Sequence, residues 1–255
     1  MTSPELKNFL DEKYNQYNCF NFIETDPISI PHQFSRKEDI EIAAFLSATI
    51  AWGQRTTIIR NANKLMQLME GQPYEFLLNT PVEDPERFDS FVHRTFNGID
   101  CTYFMRALSS IYREYGGLEQ LFSKGLSIDG TVKTAITYFR EQFLSFEPQH
   151  RTGKHIANPS AGSSAKRINM FLRWMVRPSS CGVDFGIWNS IPIAALMMPL
   201  DVHSGNVARK LGLLLRPQND WQAVEELTAN LRIFDPADPV KYDFALFGLG
   251  AFEKF

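Results

Sequence analysis

The segment Pro199-Leu200-Asp201-Val202-His203-Ser204-Gly205-Asn206-Val207-Ala208-Arg209 contains the clearest helix start in this chain. Asp201 stands where a helix N-cap is expected, and a carboxylate there accepts hydrogen bonds from the first free backbone N–H groups. We therefore predict a helix that Asp201 caps and that runs to about Leu214. The cap holds the Asp201 carboxylate ionised and in one direction, which suits a purely structural cap or a general base.

Apolar residues recur with helical spacing through most of the remaining chain. Between Lys37 and Ala51, for example, Ile42, Leu46 and Ile50 fall on one stripe. Further helices are predicted over residues 5–17, 56–69, 73–78, 84–93, 102–115, 118–123, 130–145, 163–176, 221–233 and 241–252, with loops at 20–37 and 148–162. No run alternates convincingly with the period of a strand, so the predicted fold class is all-α.

Composition and charge limit the classes of protein to which the chain can belong. The 255 residues are 44% hydrophobic with a net charge of −3, so a nucleic-acid partner would need a local basic patch. No signal-peptide pattern and no apolar run long enough to span a bilayer is visible. The three cysteines form no CxxC pair, which argues against a zinc or iron–sulfur site. We expect a cytoplasmic protein without a membrane partner.

One segment departs from the acidic balance of the chain. Between Pro148 and Gly182 there is no acidic residue. The basic residues of this segment are Arg151, Lys154, Lys166, Arg167, Arg173 and Arg177. Helical spacing puts Lys166, Arg173 and Arg177 on one face, away from the apolar stripe. This face is either a solvated basic surface or a site that holds a nucleic-acid backbone.

The start of the same predicted helix has two further properties. Ser163 or Ser164 is predicted to cap it, and its free N–H groups attract phosphate. Lys166 lies in its first turn, where the helix dipole and the nearby charges of Arg167 and Arg173 favour the neutral, nucleophilic amine. The alternative for Lys166 is an ordinary surface lysine.

Several of these segments resemble the HhH-GPD superfamily of base-excision DNA glycosylases. The segment 199–203, followed by Val207-Ala208-Arg209, is similar to the Pro-Val-Asp-x-His segment that carries the family's catalytic aspartate. Lys166 best matches the family's catalytic lysine, which begins a helix after a glycine-rich hairpin. Residues 44–49, 52–55 and 242–248 resemble the family's early helix, the turn that follows it and the closing helix.

The resemblance implies an architecture, a reaction and a set of site residues. It implies two helical lobes with a cleft, formed by residues 38–160 and by 1–37 with 161–255. The ligand would be duplex DNA with a flipped base, such as an oxidised purine, and no cofactor would be needed. Lys166 would attack the sugar and Asp201 would stabilise the cationic transition state. The other implied residues are Gln54, Arg55, Ser163, Ser164, Arg167, Arg173 and His203 for DNA binding and Trp52, Phe244 and Phe247 for the base pocket.

Two other functions are compatible with the same sequence. The basic loop and helix suit a nucleic-acid-binding protein without catalysis, in which Lys166 contacts phosphate only. The net acidity and the 21 phenylalanines suit a helical protein-interaction domain. The three hypotheses differ in their consequences, since an enzyme alone forms a covalent intermediate that needs Lys166.

Overall fold

The computed structural model describes residues 2–79, 86–146, 151–178 and 181–255, which are predominantly helical. The α-helices are α1 (Ser3–Tyr17), α2 (Asn21–Glu24), α3 (Lys37–Thr49), α4 (Arg55–Leu68), α5 (Pro73–Asn79), α6 (Glu86–Asp89), α7 (Gly98–Glu114), α8 (Leu118–Leu126), α9 (Val132–Phe143), α10 (Lys166–Val176), α11 (Val202–Lys210), α12 (Trp221–Phe234) and α13 (Tyr242–Ala251). The predicted all-α class is confirmed at this level. None of the described helices combines the length and the apolar character needed to cross a bilayer.

Short segments complete the described secondary structure. Strands β1 (Val92–His93) and β2 (Phe96–Asn97) form an antiparallel hairpin in which His93 pairs with Phe96. The 3-10 turns are Pro27–Ser29, Pro31–Gln33, Thr152–His155, Pro159–Ala161, Ile193–Ala195 and Pro239–Lys241. The start of the predicted loop 148–162 lies partly outside the described residues.

The helix predicted over residues 84–93 is wrong at its C-terminal end. Residues 84 and 85 lie outside the described residues, and the helix there ends at Asp89. Val92 and His93 are extended, with Val92 exposed and His93 buried. The hairpin is favoured over a longer helix because Phe91, His93 and Phe96 are all buried with it. A surface helix of this sequence would leave part of this set exposed.

The chain forms two compact units. One consists of Met1–Phe22 with Asn158–Phe255 and is called the α13 unit below. The other is Ile23–Ala157 and is called the α3 unit.

Helix α3 is the centre of the α3 unit. All ten residues from Ile40 to Thr49 are buried, which is typical of a helix surrounded by its neighbours. The ring of Phe45 packs against those of Phe104, Phe139 and Phe143, with centroid distances of 5.9, 5.5 and 5.7 Å. The predicted stripe of Ile42, Leu46 and Ile50 is therefore only one part of a helix that is buried on every side.

Helix α13 has the corresponding position in the α13 unit, where it packs against α1 and α11. Two glycines allow this close approach. A Cβ at Gly248 would overlap the ring of Tyr17 in α1, and a Cβ at Gly250 would lie 3.0 Å from Cβ of His203 in α11. The start of α11, which carries Asp201, is thereby held against the last helix of the chain.

Candidate active site

Lys166 is the first residue of α10, but the cap that precedes it is not the predicted one. Ala165 is the N-cap and has left-handed backbone angles, φ 48° and ψ 34°. The Oγ atom of Ser163 accepts a hydrogen bond of 3.2 Å from the N–H of Ala165, so this serine orders the turn before the helix instead of capping it. The prediction that Ser163 or Ser164 is the cap is therefore wrong. A non-glycine residue in this conformation is strained, and such strain is often found at functional sites.

The turn that leads into α10 is anchored by backbone and side-chain hydrogen bonds. Asn158 caps the 3-10 turn Pro159–Ala161, and Gly162 follows with a φ of +89°. The carbonyl of Gly162 accepts a hydrogen bond of 3.0 Å from the N–H of Trp221, and Ser163 forms a β-bridge with Asp220. Ser163 is exposed and Ser164 is half-buried. The start of α10 is thus tied to the start of α12.

Asp201 is the N-cap of α11, as predicted. Its Oδ1 accepts hydrogen bonds from the backbone N–H of Ser204 at 2.9 Å and from the Ser204 hydroxyl at 3.2 Å. Its own N–H donates to Ser204 Oγ, and its carbonyl accepts from the Asn219 side chain, both at 3.0 Å. These bonds hold the Asp201 carboxylate in a single direction and leave Oδ2 for another partner.

That partner is Lys166. Lys166 Nζ lies 3.7 Å from Asp201 Oδ2, with the two side chains 27% and 21% exposed. The structure therefore brings the two residues that were predicted to be catalytic into contact, although they belong to different helices. Neither side chain is fully buried, so part of each remains exposed at the surface.

Arg173 does not lie on the basic surface that the sequence predicted. Its side chain is 4% exposed, its Nε donates to Asp184 Oδ1 at 3.2 Å, and its Nη1 donates to Asp243. Arg177 is buried as well and binds Asp184 and Asp238. The predicted DNA contact by Arg173 is wrong, because Asp184 from the following segment and Asp238 and Asp243 from near the end of the chain cover this helix face and neutralise it.

Asp243, in the first turn of α13, is a residue of this site that the sequence analysis did not single out. Burial raises the pKa of Asp243 to about 6, and the charges of Asp201 and Asp184 act in the same direction, against Arg173 and Lys166. Asp243 therefore interacts electrostatically with both predicted catalytic residues. A signal was present in the sequence, since an acidic residue near a helix start is favoured by the helix dipole.

The remaining predicted residues of the α13 unit differ in their exposure. Phe244 is 1% exposed, and the Arg173 guanidinium lies 4.3 Å from its ring centroid, so Phe244 belongs to the core and not to a base pocket. Phe247 is half-buried, with its ring 6.3 Å from that of the exposed His203. Arg167 is also half-buried, and burial lowers its pKa to about 10. Phe247, His203 and Arg167 retain some exposed surface.

Trp52, Gln54 and Arg55 belong to the α3 unit. The half-buried Trp52 ring stacks on His155 at 5.9 Å and meets the edge of His93 at 4.9 Å. Gln54 is exposed and stands at the N-cap of α4, and Arg55 is the first residue of that helix. The two histidines therefore support Trp52, at the start of this turn.

Comparison with known proteins assigns the chain to a family. Residues 26–252 match the family described as protein of unknown function (DUF2400). The match covers most of the chain, which therefore belongs to the DUF2400 family. No curated protein and no solved structure matches it.

Proposed function

We propose that this protein is a base-excision DNA glycosylase with lyase activity on abasic sites, and that Lys166 is its nucleophile. The proposal adopts the two-lobed glycosylase architecture that the sequence resemblance implies, with an oxidised purine as its first candidate substrate. The single observation that carries it is the contact between Lys166 and Asp201. An amine beside a directed carboxylate is the pair that such a displacement requires.

The proposed reaction begins with the free amine of Lys166. Its nitrogen forms a bond to C1′ of the sugar while the bond from C1′ to the base breaks, and the base leaves with the electron pair and takes up a proton. Opening of the sugar ring then gives a Schiff base between Lys166 and C1′. Loss of a proton from C2′ and departure of the 3′ phosphate by β-elimination cleave the strand, and water releases the lysine.

Asp201 would stabilise the positive charge that develops on the sugar. Its carboxylate is already held by Ser204, and its backbone carbonyl is held by Asn219, so it need not reorient during the reaction. Preorganised charge of this kind is commonly the largest contribution to catalysis. Asp243 adds a second carboxylate whose charge acts on both Lys166 and Asp201.

A nucleic-acid-binding protein without catalysis is the second candidate. It is favoured by the fact that Asp201 already has a structural task, since Oδ1 caps α11. In that case the contact of 3.7 Å with Lys166 is an ordinary ion pair, and the exposed part of Lys166 binds phosphate.

Borohydride trapping separates the two candidates. The wild-type protein would be incubated with duplexes that carry oxidised guanine, uracil or an abasic site, beside Lys166→Ala, Asp201→Asn and the control Lys210→Ala. Lys210 is an exposed lysine at the end of α11. We expect a covalent complex that is lost in Lys166→Ala, kept in Lys210→Ala, and formed about a hundredfold more slowly in Asp201→Asn.

The opposite result has an equally definite meaning. If all four proteins are folded and none is trapped on any duplex, the Schiff-base mechanism is excluded. Binding that is weakened by Lys166→Ala without any trapping would identify the non-catalytic binder.

A further inference from the structure

Helix α4 lies in the longest stretch of the α3 unit that has no acidic residue. From residue 42 to residue 69 there is no Asp or Glu, while Arg55, Arg60 and Lys64 are present. The whole chain has a net charge of −3, so this stretch differs from its average. Such a local excess of positive charge is a feature of surfaces that bind polyanions.

The buried stripe of α4 shows which of these cations face outward. Ile58, Ala62 and Leu65 are buried, whereas Arg60 is exposed and Lys64 is half-buried. Because they are four residues apart, Arg60 and Lys64 are neighbours on one face and repel each other, which destabilises a helix. Within the described parts of the chain, neither forms an ion pair with a carboxylate.

Two cations at the start of α3, in the same unit, are neutralised. Arg36 pairs with Glu38 and Glu75, and Lys37 pairs with Glu119. Among the described residues, Arg60 and Lys64 differ from these two cations in having no carboxylate partner.

The β1–β2 hairpin adds a third cation beside α4. Arg94 is the first of the two loop residues and has a φ of +56°, a position that glycine or asparagine usually occupies. Its guanidinium lies beside Gly53, where a Cβ would stand 3.4 Å from Arg94 Nη1. A hydrogen-bonding contact of 2.9 Å between His93 and Asn61 joins the hairpin to α4. An arginine kept at a strained position points to a function for its charge.

We propose that Arg60, Lys64 and Arg94, the α4–hairpin surface, bind the phosphate backbone of duplex DNA. Arg94 is exposed and, among the described residues, has no carboxylate partner. The exposed neighbours on α4, Thr56 and Gln67, are polar and of the kind that donate hydrogen bonds to phosphate, and the one large exposed apolar side chain of the hairpin, Val92, is too little for insertion into a membrane surface. The inference rests on the proposed function only for the identity of the ligand, duplex DNA. It does not depend on the chemistry of Lys166.

The salt dependence of binding tests this surface. Binding of a short undamaged duplex would be measured over a range of salt concentrations for the full chain carrying Lys166→Ala. Arg60→Ala/Lys64→Ala would be compared, in that background, with Lys124→Ala/Lys133→Ala, which removes two lysines of α8 and α9. We expect the Arg60→Ala/Lys64→Ala variant to make the negative slope of log K against log salt shallower by about 2 and to weaken binding by about tenfold. The Lys124→Ala/Lys133→Ala variant should change neither quantity.

A substitution at Arg94 separates binding from folding. Arg94→Gly places glycine at a left-handed position, so we expect the thermal unfolding temperature to stay unchanged or rise. The same substitution should lower the salt slope by about 1. A loss of binding that accompanies increased stability cannot come from misfolding.

Several outcomes would overturn the inference. An unchanged slope in all of these variants, or an equal loss in the Lys124→Ala/Lys133→Ala control, would exclude a specific phosphate contact. Tighter binding of single-stranded RNA, reduced by the same substitutions, would overturn the assignment to duplex DNA. Because all of these variants carry Lys166→Ala, the salt test does not depend on whether borohydride traps the wild-type protein. If trapping succeeds but the salt slopes are unaltered, only the assignment of the α4–hairpin surface is excluded and the proposed function stands.

Discussion

Asp243 of α13 accepts a hydrogen bond from the Arg173 guanidinium of α10, and both side chains are buried. This pair connects the first turn of α13 to the helix that begins with Lys166. The charged groups that act on Asp243 are Arg173, Lys166, Asp201 and Asp184. A buried ion pair so close to two candidate catalytic residues makes the protonation of Asp243 relevant to the reaction.

The first prediction concerns pH. Since the pKa of Asp243 is raised to about 6, this carboxyl is neutral below that pH and ionised above it. Its negative charge favours the cationic transition state, so the single-turnover rate of Schiff-base formation should rise as pH increases through about 6. In Asp243→Asn this rise of the rate near pH 6 should be absent. The control Asp129→Asn, at an exposed turn, should retain the rise.

The same shift has a consequence for stability. The pKa of Asp243 in the folded protein is above its ordinary value of 3.8, so its stabilising contribution is complete below about pH 3.8 and is lost as pH rises through about 6. The difference in unfolding free energy between the wild type and Asp243→Asn should therefore change over this interval. If the wild type and Asp243→Asn had the same pH profile of the rate and the same pH profile of the unfolding free energy, neither pH dependence could be assigned to Asp243.

The second prediction concerns Arg173. Arg173→Met leaves Asp243 buried without its cation, and breaking a buried pair in this way costs about 3–5 kcal/mol. For a protein of this size we expect Tm to fall by roughly 10 °C. The salt slope of DNA binding should stay unchanged, because the Arg173 side chain is only 4% exposed.

Lys210→Met provides a control that removes an exposed cation of the same unit. If Arg173→Met were as stable as this control and lowered the salt slope, Arg173 would be a DNA contact after all.

The third prediction concerns Asp100, which joins the start of α7 to residues 151–155. Burial by itself raises the pKa of Asp100, but the nearby imidazole of His155, 3.3 Å away, and hydrogen bonds from the backbone of Asn97 and from Arg151 lower it to about 2. Its contribution to stability is therefore present above about pH 3.8 and is lost as pH falls through about 2. Asp100→Asn should be less stable than the wild type by about 2 kcal/mol at pH 7.

Denaturant unfolding at several pH values provides the measurement. The difference between the two proteins should shrink steadily below pH 4. A difference that is the same at pH 7 and pH 2.5 would show that the charge of Asp100 is not what stabilises the folded state.

The fourth prediction concerns the contact of α13 with α1. A Cβ at Gly248 would overlap the ring of Tyr17, so Gly248→Ala should destabilise the protein by about 1–3 kcal/mol. In the background of Tyr17→Ala the same substitution should cost almost nothing, since the overlapping ring is gone. Unfolding free energies of the two single variants and the double variant complete this cycle, and additive effects would show that the two residues do not meet.

The sequence by itself determined the helical class and the cap at Asp201. Both depend on residues within about one turn of each other, because the Asp201 carboxylate bonds the N–H of Ser204 and the helical stripes repeat every three or four residues. The resemblance of residues 199–209 to a catalytic segment adds a function that remains a proposal.

Only the tertiary structure decided what each helix face meets. The sequence placed Lys166, Arg173 and Arg177 on one face of α10 but could not show that Asp184, Asp238 and Asp243 would cover two of them. The sequence also could not predict the left-handed conformation of Ala165 or the β1–β2 hairpin. Each is a local conformation that contacts elsewhere in the chain must stabilise. The contact of Lys166 with Asp201 depends in the same way on how α10 and α11 pack. Local hydrogen bonds and periodicity are encoded over a few residues, whereas burial and ion pairing depend on which distant segments the fold brings together.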